Sequence, residues 1–124
     1  MIVEPKRRTS LSKTVGRWIL PIVVLTTFPA VEEARADLLS NIAQCESGGN
    51  QFDANGRVLR NKYNPSVVGV FQLNEHYHAA AARKMGFDIY TSKGNWGYAQ
   101  WLLQNFGTTP WLSSRQCWSR VAAK

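Results

Sequence analysis

Glu46 is the residue whose type and position most clearly indicate chemistry. It ends a short apolar run in which Leu39, Ile42 and Glu46 fall at i, i+3 and i+7, so the carboxyl continues the apolar stripe of a helix. Burial there favours the neutral carboxyl and raises its pKa, which suits a general acid near neutral pH. The serine and glycines at 47–49 end the helix and allow a ligand to approach closely. A glutamate facing solvent at a helix end is the competing interpretation of these residues alone.

Residues 1–36 have the order of a secretory signal peptide. Basic residues come first, an apolar run from Trp18 to Val31 follows, and Ala34 and Ala36 are the small residues that a signal peptidase recognises. We expect cleavage after Ala36, which leaves one small domain, residues 37–124, exported to the periplasm, the cell wall or the extracellular space. An uncleaved membrane anchor is the alternative, but the run is short for a span and two prolines interrupt it. We therefore predict no stable membrane insertion after cleavage.

The charge of residues 37–124 indicates the kind of partner. They contain nine Lys and Arg against five Asp and Glu, a net charge of +4. This balance suits long-range attraction to an acidic polymer. The basic residues are scattered and form no stripe or arm, so we expect no binding of nucleic acid.

Cys45 and Cys117 are the two cysteines of the chain. Both lie in the part that we expect to be exported, and an even count in an oxidising compartment predicts one disulfide. Two free buried thiols are the alternative. A disulfide would connect the first helix of the exported domain to its C-terminal segment, which helps a domain of this size because its core is small.

The order of predicted elements is a helix, a hairpin and three further helices. The first helix covers 37–45, and Asn55-Gly56 predicts a two-residue hairpin turn with positive φ at both positions. Helices follow at 75–85 and 93–106, the second apolar enough to be central and buried, and a short helix carries the second cysteine. This pattern predicts an α+β domain that is mainly helical.

Three short sequences, taken in order, resemble those of a known superfamily. Residues 42–50 read IAQCESGGN, residues 69–72 read GVFQ, and residues 107–111 read GTTPW before the second cysteine. Together they resemble the lysozyme-like superfamily that cleaves peptidoglycan, especially the small exported lytic transglycosylase-like proteins and the resuscitation-promoting factors. The resemblance covers Asp37 to Trp118. It implies a lysozyme-like fold with a small β-hairpin lobe, Glu46 as the catalytic residue, and a glycan cleft lined by residues 69–72.

The sequence departs from this superfamily at two places. The alanine-tyrosine-asparagine-alanine-glycine motif of the larger soluble transglycosylases is absent, and Gly97-Tyr98-Ala99 is only a partial match. Val67 stands in a loop where similar sequences often have an aspartate. The second departure removes a loop carboxylate and leaves Glu46 unaffected.

The resemblance implies cleavage of the β-1,4 bond between N-acetylmuramic acid and N-acetylglucosamine, and the carboxylates indicate the route. A retaining hydrolase uses a second carboxylate about 5 Å from the acid. Asp53 is the one candidate near Glu46, and its alternative role is to set up the Asn55-Gly56 turn. A lytic transglycosylase needs no such partner, because the 6-hydroxyl of the substrate attacks and Glu46 performs both proton transfers. We expect this second route, with a lysozyme-type hydrolase using Asp53 as the alternative.

Six further residues are candidates for substrate binding: Ser47, Phe71, Gln72, Asn95, Tyr98 and Trp111. Gln72 is the most specific, because an amide among apolar residues is costly unless it is hydrogen-bonded. Ser47 has a local bond at the helix end as its alternative, and Asn95 and Tyr98 have a place in the core. Trp111, in a loop, is the tryptophan that we expect to face a sugar ring.

The remaining features exclude some classes of protein. His76 and His78 are two residues apart and lack the i, i+4 spacing of a zinc-binding helix, so we expect no metal and no cofactor. We expect a monomer. A non-catalytic glycan-binding module and a small secreted toxin or inhibitor are the alternatives from other classes. The presence of Glu46, Ser47 and Gln72 together argues against the module, and a toxin or inhibitor would not need a glutamate buried beside a glycine turn.

Overall fold

The structure is a computed structural model that describes residues 29–121. The basic and apolar parts of the predicted signal peptide that precede Pro29 lie outside these residues. The described elements are α1 (Pro29–Ser47), β1 (Val67–Val68), β2 (Leu73–Asn74), α2 (Glu75–Lys84), α3 (Ser92–Phe106), a 3₁₀ helix (Thr109–Ser114) and α4 (Arg115–Val121). This is a mainly helical α+β arrangement, as predicted. No helix among residues 29–121 is long and apolar enough to cross a membrane.

Helix α1 begins earlier than the sequence pattern predicts. It starts at Pro29, not at Asp37, and runs through the predicted cleavage site after Ala36. Proline fits the first turn of a helix, and the alanines and glutamates that follow it are good helix formers. Residues 29–37 are nevertheless all exposed, and burial begins with Leu39 and Ile42 on the predicted stripe. The early start therefore agrees with the helix propensity of these residues and adds none of them to the buried core.

The β structure is smaller and differently placed than predicted. The expected hairpin is present as a single antiparallel bridge between Phe52 and Val58. Its turn has positive φ at Gly56 alone, because the Asp53 carboxylate accepts the backbone N–H groups of Asn55 and Arg57 and holds a different turn. The prediction of positive φ at both turn positions was therefore wrong.

Strands β1 and β2 form the two-stranded sheet, which the sequence pattern did not predict. They are antiparallel, with Val67 opposite Asn74 and Val68 opposite Leu73. An isolated bridge between Arg60 and Val68 connects this sheet to the segment that follows the hairpin. The 51–74 region is therefore one irregular lobe, held by a few pairings of very short strands.

Helices α2 and α3 begin close to their predicted positions. The Asn74 side chain caps α2 by accepting the His76 N–H, and the Thr91 side chain caps α3 by accepting the Gly94 N–H. Such caps satisfy backbone donors that have no partner within the helix. Helix α3 is the central helix, as predicted, and its buried side chains include Asn95, Tyr98, Ala99, Leu102 and Leu103.

The core draws its apolar side chains from every described part of the chain. The buried members are Leu39, Ile42, Ala43, Val68, Val70, Phe71, Leu73, Ala82, Ile89, Tyr98, Ala99, Leu102, Leu103, Trp111 and Trp118. The predicted disulfide is present between Cys45 and Cys117, with the two sulfurs 2.00 Å apart. It joins the last turn of α1 to α4, so the end of the first helix and the last helix are covalently connected.

Two buried amides fix the turn between β1 and β2. Gln51 accepts the Val70 N–H at 3.0 Å, and Asn95 accepts the Phe71 N–H at 3.0 Å. Both amides also donate to the Ile89 carbonyl, at 3.1 and 2.8 Å. A buried amide is costly unless it is bonded in this way, so these contacts determine the path of the backbone here.

Gly69 is the position where this arrangement tolerates no side chain. Its φ is +76°, and a Cβ there would lie 2.4 Å from Asn95 Nδ2 and 2.6 Å from Gln51 Oε1. We expect Gly69→Ala to lower the free energy of unfolding by about 2–3 kcal/mol, from backbone strain and from disturbed buried hydrogen bonds. Urea denaturation followed by circular dichroism measures this loss.

Gly56→Ala is the matched control for this prediction. Gly56 has a similar φ of +74° but no atom within 4 Å of the added Cβ. We expect it to cost only the backbone component, about 1 kcal/mol. An equal loss in the two variants would show that crowding against Gln51 and Asn95 contributes nothing.

Candidate active site

Glu46 lies at the end of α1, directly after the disulfide-bonded Cys45. Its side chain is half-buried, and this desolvation raises the pKa of the carboxyl above its usual value of 4.5. The stripe of Leu39 and Ile42 brings it to this position, as the spacing predicted. Glu46 is therefore a carboxyl poised to carry a proton at a higher pH than an ordinary glutamate.

The hydroxyl of Ser114, at the end of the 3₁₀ helix, forms a hydrogen bond with Glu46. The same Oγ lies 3.1 Å from the carbonyl oxygen of Trp111. A hydroxyl donates one hydrogen bond and accepts others. Ser114 can therefore donate to Glu46 when the carboxyl is ionised, and can accept from Glu46 and donate to Trp111 when the carboxyl is protonated.

The Ser114 bond also affects the proton affinity of Glu46. As a donor it stabilises the ionised carboxyl and lowers the pKa, against the larger effect of burial. We expect Ser114→Ala to raise the pKa of Glu46 further, because it removes the bond and leaves the burial. NMR titration of a ¹³C-labelled Glu46 carboxyl measures this directly, without reference to any activity.

Ser113→Ala is the control for that titration, since Ser113 is the exposed neighbour of Ser114. It should leave the pKa of Glu46 unchanged. An unchanged or lower pKa in Ser114→Ala would contradict the role of the hydroxyl as a donor to the carboxylate.

Ser47 serves the end of α1. Its hydroxyl donates to the Ala43 carbonyl at 3.3 Å and accepts the Asn50 N–H at 3.1 Å. Gly48 and Gly49 follow with φ of +67° and +80°, which turns the chain sharply away from the helix. These bonds are the local contacts at a helix end that the sequence offers as the alternative to substrate binding. Ser47 also lies at the edge of a groove.

A groove of about 480 Å³ begins at Ser47, the residue after Glu46. It passes between the end of α1 and the hairpin, and its walls are Ser47, Asn50, Phe52, Asp53, Ala54 and Leu59. Phe52 is 47% exposed, so an aromatic ring is available in the groove to an apolar or sugar-ring face. The groove is thus open and partly aromatic, and its wall includes Ser47, the residue that follows Glu46 in the chain.

Four of the six predicted substrate-binding residues lie in the core. They are Phe71, Asn95, Tyr98 and Trp111, and none is more than 2% exposed. The Asn95 amide bonds backbone groups, Tyr98 Oη lies 3.2 Å from His78 Nδ1, and Trp111 Nε1 donates to the Phe71 carbonyl at 3.1 Å. In this structure they are part of the protein interior and have almost no surface for a substrate.

Gln72 is half-buried and adopts an unusual backbone conformation. Its φ is +50°, and its Nε2 donates to the Gly69 carbonyl at 2.9 Å. The amide is thus partly satisfied within the turn between β1 and β2, which is the structural alternative to a glycan contact. Gln72 is absent from the walls of the groove beside Ser47.

Asp53 lies in the groove wall but is committed to the hairpin turn. Its Oδ1 accepts the N–H groups of Asn55 and Arg57 at 2.8 and 3.0 Å. This is the turn-forming role that the sequence offered as the alternative to catalysis. Asp53 therefore shares the groove with Ser47 while one of its oxygens is occupied by the backbone.

The histidines take part in separate contacts. His76 Nε2 lies 2.9 Å from Ser66 Oγ, and His78 is paired with Tyr98. Burial lowers the pKa of His78 and raises that of Tyr98, so both side chains are neutral at pH 7. Within residues 29–121 no three His, Cys, Asp or Glu side chains are grouped closely enough to hold a metal ion.

Ser114 is the site residue that sequence reasoning missed. The disulfide does carry a signal for it, because Cys117 is bonded to the residue before Glu46 and Ser114 lies about one helical turn before Cys117. A residue one turn from a bridged cysteine lies on the same face, and here that face meets the carboxyl.

Comparison of the chain with protein-family models, with curated proteins and with solved structures finds no match. A function for this chain is therefore argued from its own residues. The features that bear on it are the half-buried Glu46 carboxyl, its Ser114 partner and the groove that begins at Ser47.

Proposed function

We propose that this protein is an exported lytic transglycosylase of the lysozyme-like superfamily, which cleaves the bond between N-acetylmuramic acid and N-acetylglucosamine in peptidoglycan. The observation that carries the proposal is the half-buried Glu46 carboxyl, whose pKa is raised by burial and whose neighbour in the chain, Ser47, lines an open groove. The resemblance of residues 42–50, 69–72 and 107–111 to that superfamily supplies the substrate.

In the proposed reaction Glu46 acts first as an acid and then as a base. The protonated carboxyl gives its proton to the glycosidic oxygen as positive charge develops at C1 of the muramic acid. The resulting carboxylate then takes the proton of the 6-hydroxyl of the same sugar as that oxygen bonds to C1. The product is a 1,6-anhydro-muramic end, no water is consumed, and Glu46 finishes protonated. The Ser114 hydroxyl suits both states, because it can accept from the acid and donate to the carboxylate.

The bonding of the other carboxylates favours this route over hydrolysis. A retaining hydrolase needs a second carboxylate about 5 Å from the acid. Glu75 is paired with Arg60 and accepts the Tyr90 hydroxyl, and Asp88 accepts the Tyr90 N–H. Asp53 lies in the same groove as Ser47, so a lysozyme-type hydrolase that uses it is the second candidate function.

Export is supported by the exposure of residues 29–37. Cleavage after Ala36 would remove no residue of the buried core, because that core begins at Leu39. The disulfide between Cys45 and Cys117 fits the oxidising compartment that export implies.

Analysis of the products tests the proposed function. Purified peptidoglycan is digested with the protein and with Glu46→Gln, and the fragments are identified by mass spectrometry. We expect 1,6-anhydro-muramic ends from the wild type and none from the variant. Reducing ends would identify the hydrolase and lead next to Asp53→Asn. Glycan binding without any cleavage by the wild type would identify a non-catalytic module.

A further inference from the structure

The groove that begins at Ser47 has a second groove beside it. This second groove has a volume of about 550 Å³, and its walls are Asp53, Arg57, Val58, Leu59 and Arg60. Asp53 and Leu59 line both grooves, so the two adjoin across the hairpin. A polymer that lies against Ser47 and extends past Asp53 and Leu59 would therefore reach the groove of the two arginines.

The arginines differ in what balances their charge. Arg60 Nη1 lies 2.9 Å from Glu75 Oε1 and donates to the Pro65 carbonyl at 2.7 Å, so its guanidinium is engaged within the fold. Arg57 has no acidic side chain within 4 Å among residues 29–121. The nearby Asp53 carboxylate accepts two backbone N–H groups, which offset part of its charge. The wall of the second groove therefore contains one guanidinium that is in no salt bridge among residues 29–121, that of Arg57, together with the Asp53 carboxylate.

The backbone at Arg57 is held firmly in place. Its carbonyl accepts the Asp53 N–H at 2.8 Å, its own N–H donates to the Asp53 carboxylate at 3.0 Å, and the next residue forms the bridge between Phe52 and Val58. A cation on a fixed backbone loses less conformational freedom on binding than one on a mobile loop. This favours selective recognition at Arg57.

We propose that Arg57 binds a carboxylate on the peptide substituents of the glycan strand, so that the protein prefers glycan that carries peptides with free carboxylates. The inference rests on the proposed function, which places a glycan in the groove. A guanidinium suits this role, because it is permanently charged and offers two parallel N–H donors to a carboxylate. The net charge of +4 on residues 37–124 also attracts negatively charged ligands such as carboxylates.

A matched pair of ligands tests the inference. Both are tetrasaccharides of alternating N-acetylglucosamine and N-acetylmuramic acid that carry peptides, one with free carboxylates and the other with every carboxylate amidated. Dissociation constants are measured by calorimetry with the full chain carrying Glu46→Gln, which prevents turnover. We expect the free-carboxylate ligand to bind about fivefold more tightly, the size expected of an exposed ion pair.

Two added substitutions show whether Arg57 is responsible. Arg57→Gln should remove the preference, and Arg83→Gln, which deletes the same charge from exposed α2, should retain it. The preference should also shrink in 1 M salt, where the screening length falls to about 3 Å. Equal affinity for the two ligands, no measurable binding of either, or an equal loss in Arg83→Gln would overturn the inference.

The outcome for Arg57 is distinguishable from that for the proposed function. Cleavage of peptidoglycan by the wild type without a carboxylate preference would overturn only the Arg57 site. A carboxylate preference that depends on Arg57, with no cleavage by the wild type, would overturn the enzymatic function and leave the binding site in place.

Discussion

Glu46→Gln is expected to lower the rate of peptidoglycan cleavage by about 10³-fold, because a positioned general acid and base contributes roughly 10²–10⁴. Glutamine keeps the shape of the side chain and can still accept the Ser114 hydrogen bond, but it has no proton to give to the glycosidic oxygen. The release of soluble fragments from purified peptidoglycan, measured as an initial rate at pH 7, gives the size of the loss.

Asp37→Asn is the matched control for this rate, since Asp37 is an exposed carboxylate on the same helix. It should cleave at the wild-type rate. If Glu46→Gln retained most of the activity, the proton would have to come from another group, and the proposed mechanism would fail.

Glu46→Gln is expected to lower the activity of the protein but to increase its stability relative to the wild type. Because burial raises the pKa of Glu46 above 4.5, the folded state holds this proton more tightly than the unfolded chain does. The resulting stabilisation is fully present below pH 4.5 and is lost as the pH rises through the folded pKa. We therefore expect Glu46→Gln to gain stability relative to the wild type between pH 4 and pH 7, measured by urea denaturation at both values. A relative loss over that interval would contradict the cost of a buried charge at Glu46.

The sequence pattern predicted the parts of the fold that depend on local order. The periodicity of apolar residues identified α3 as the central helix and predicted the start of α2 at residue 75. The stripe that contains Leu39 and Ile42 also placed Glu46 correctly at the boundary of the core. These features follow from residues within a few turns of one another, so a single sequence contains the information.

The sequence pattern did not predict features that depend on distant contacts. Strands β1 and β2 have two residues each, and their turn depends on hydrogen bonds from Gln51 and Asn95. The sequence left a cleft and a core position open for Asn95, because a polar tip on an apolar helix has the same pattern whether it faces a ligand or a buried backbone group. Ser114 reaches Glu46 across 68 residues of sequence, and no local pattern records that contact.

The disulfide is expected to have the second large effect, because it fixes the two segments that form the site. Cys45 precedes Glu46, and Cys117 follows Ser114 by about one helical turn. The sequence separation of 72 residues closes a long loop, and its closure entropy corresponds to about 4 kcal/mol of stability. For a small domain this is a large share of the total free energy of unfolding.

We expect replacement of both cysteines by serine to lower the free energy of unfolding by about 4 kcal/mol, measured by urea denaturation. In the fraction that remains folded, the bond between Ser114 and Glu46 should weaken, because α1 and α4 are no longer joined at that point. The pKa of Glu46, followed by the same NMR titration, should then move in the direction that Ser114→Ala produces. A loss of stability with an unchanged titration of Glu46 would show that the disulfide supports the fold without positioning the acid. Unchanged stability would contradict the entropic role of the long loop.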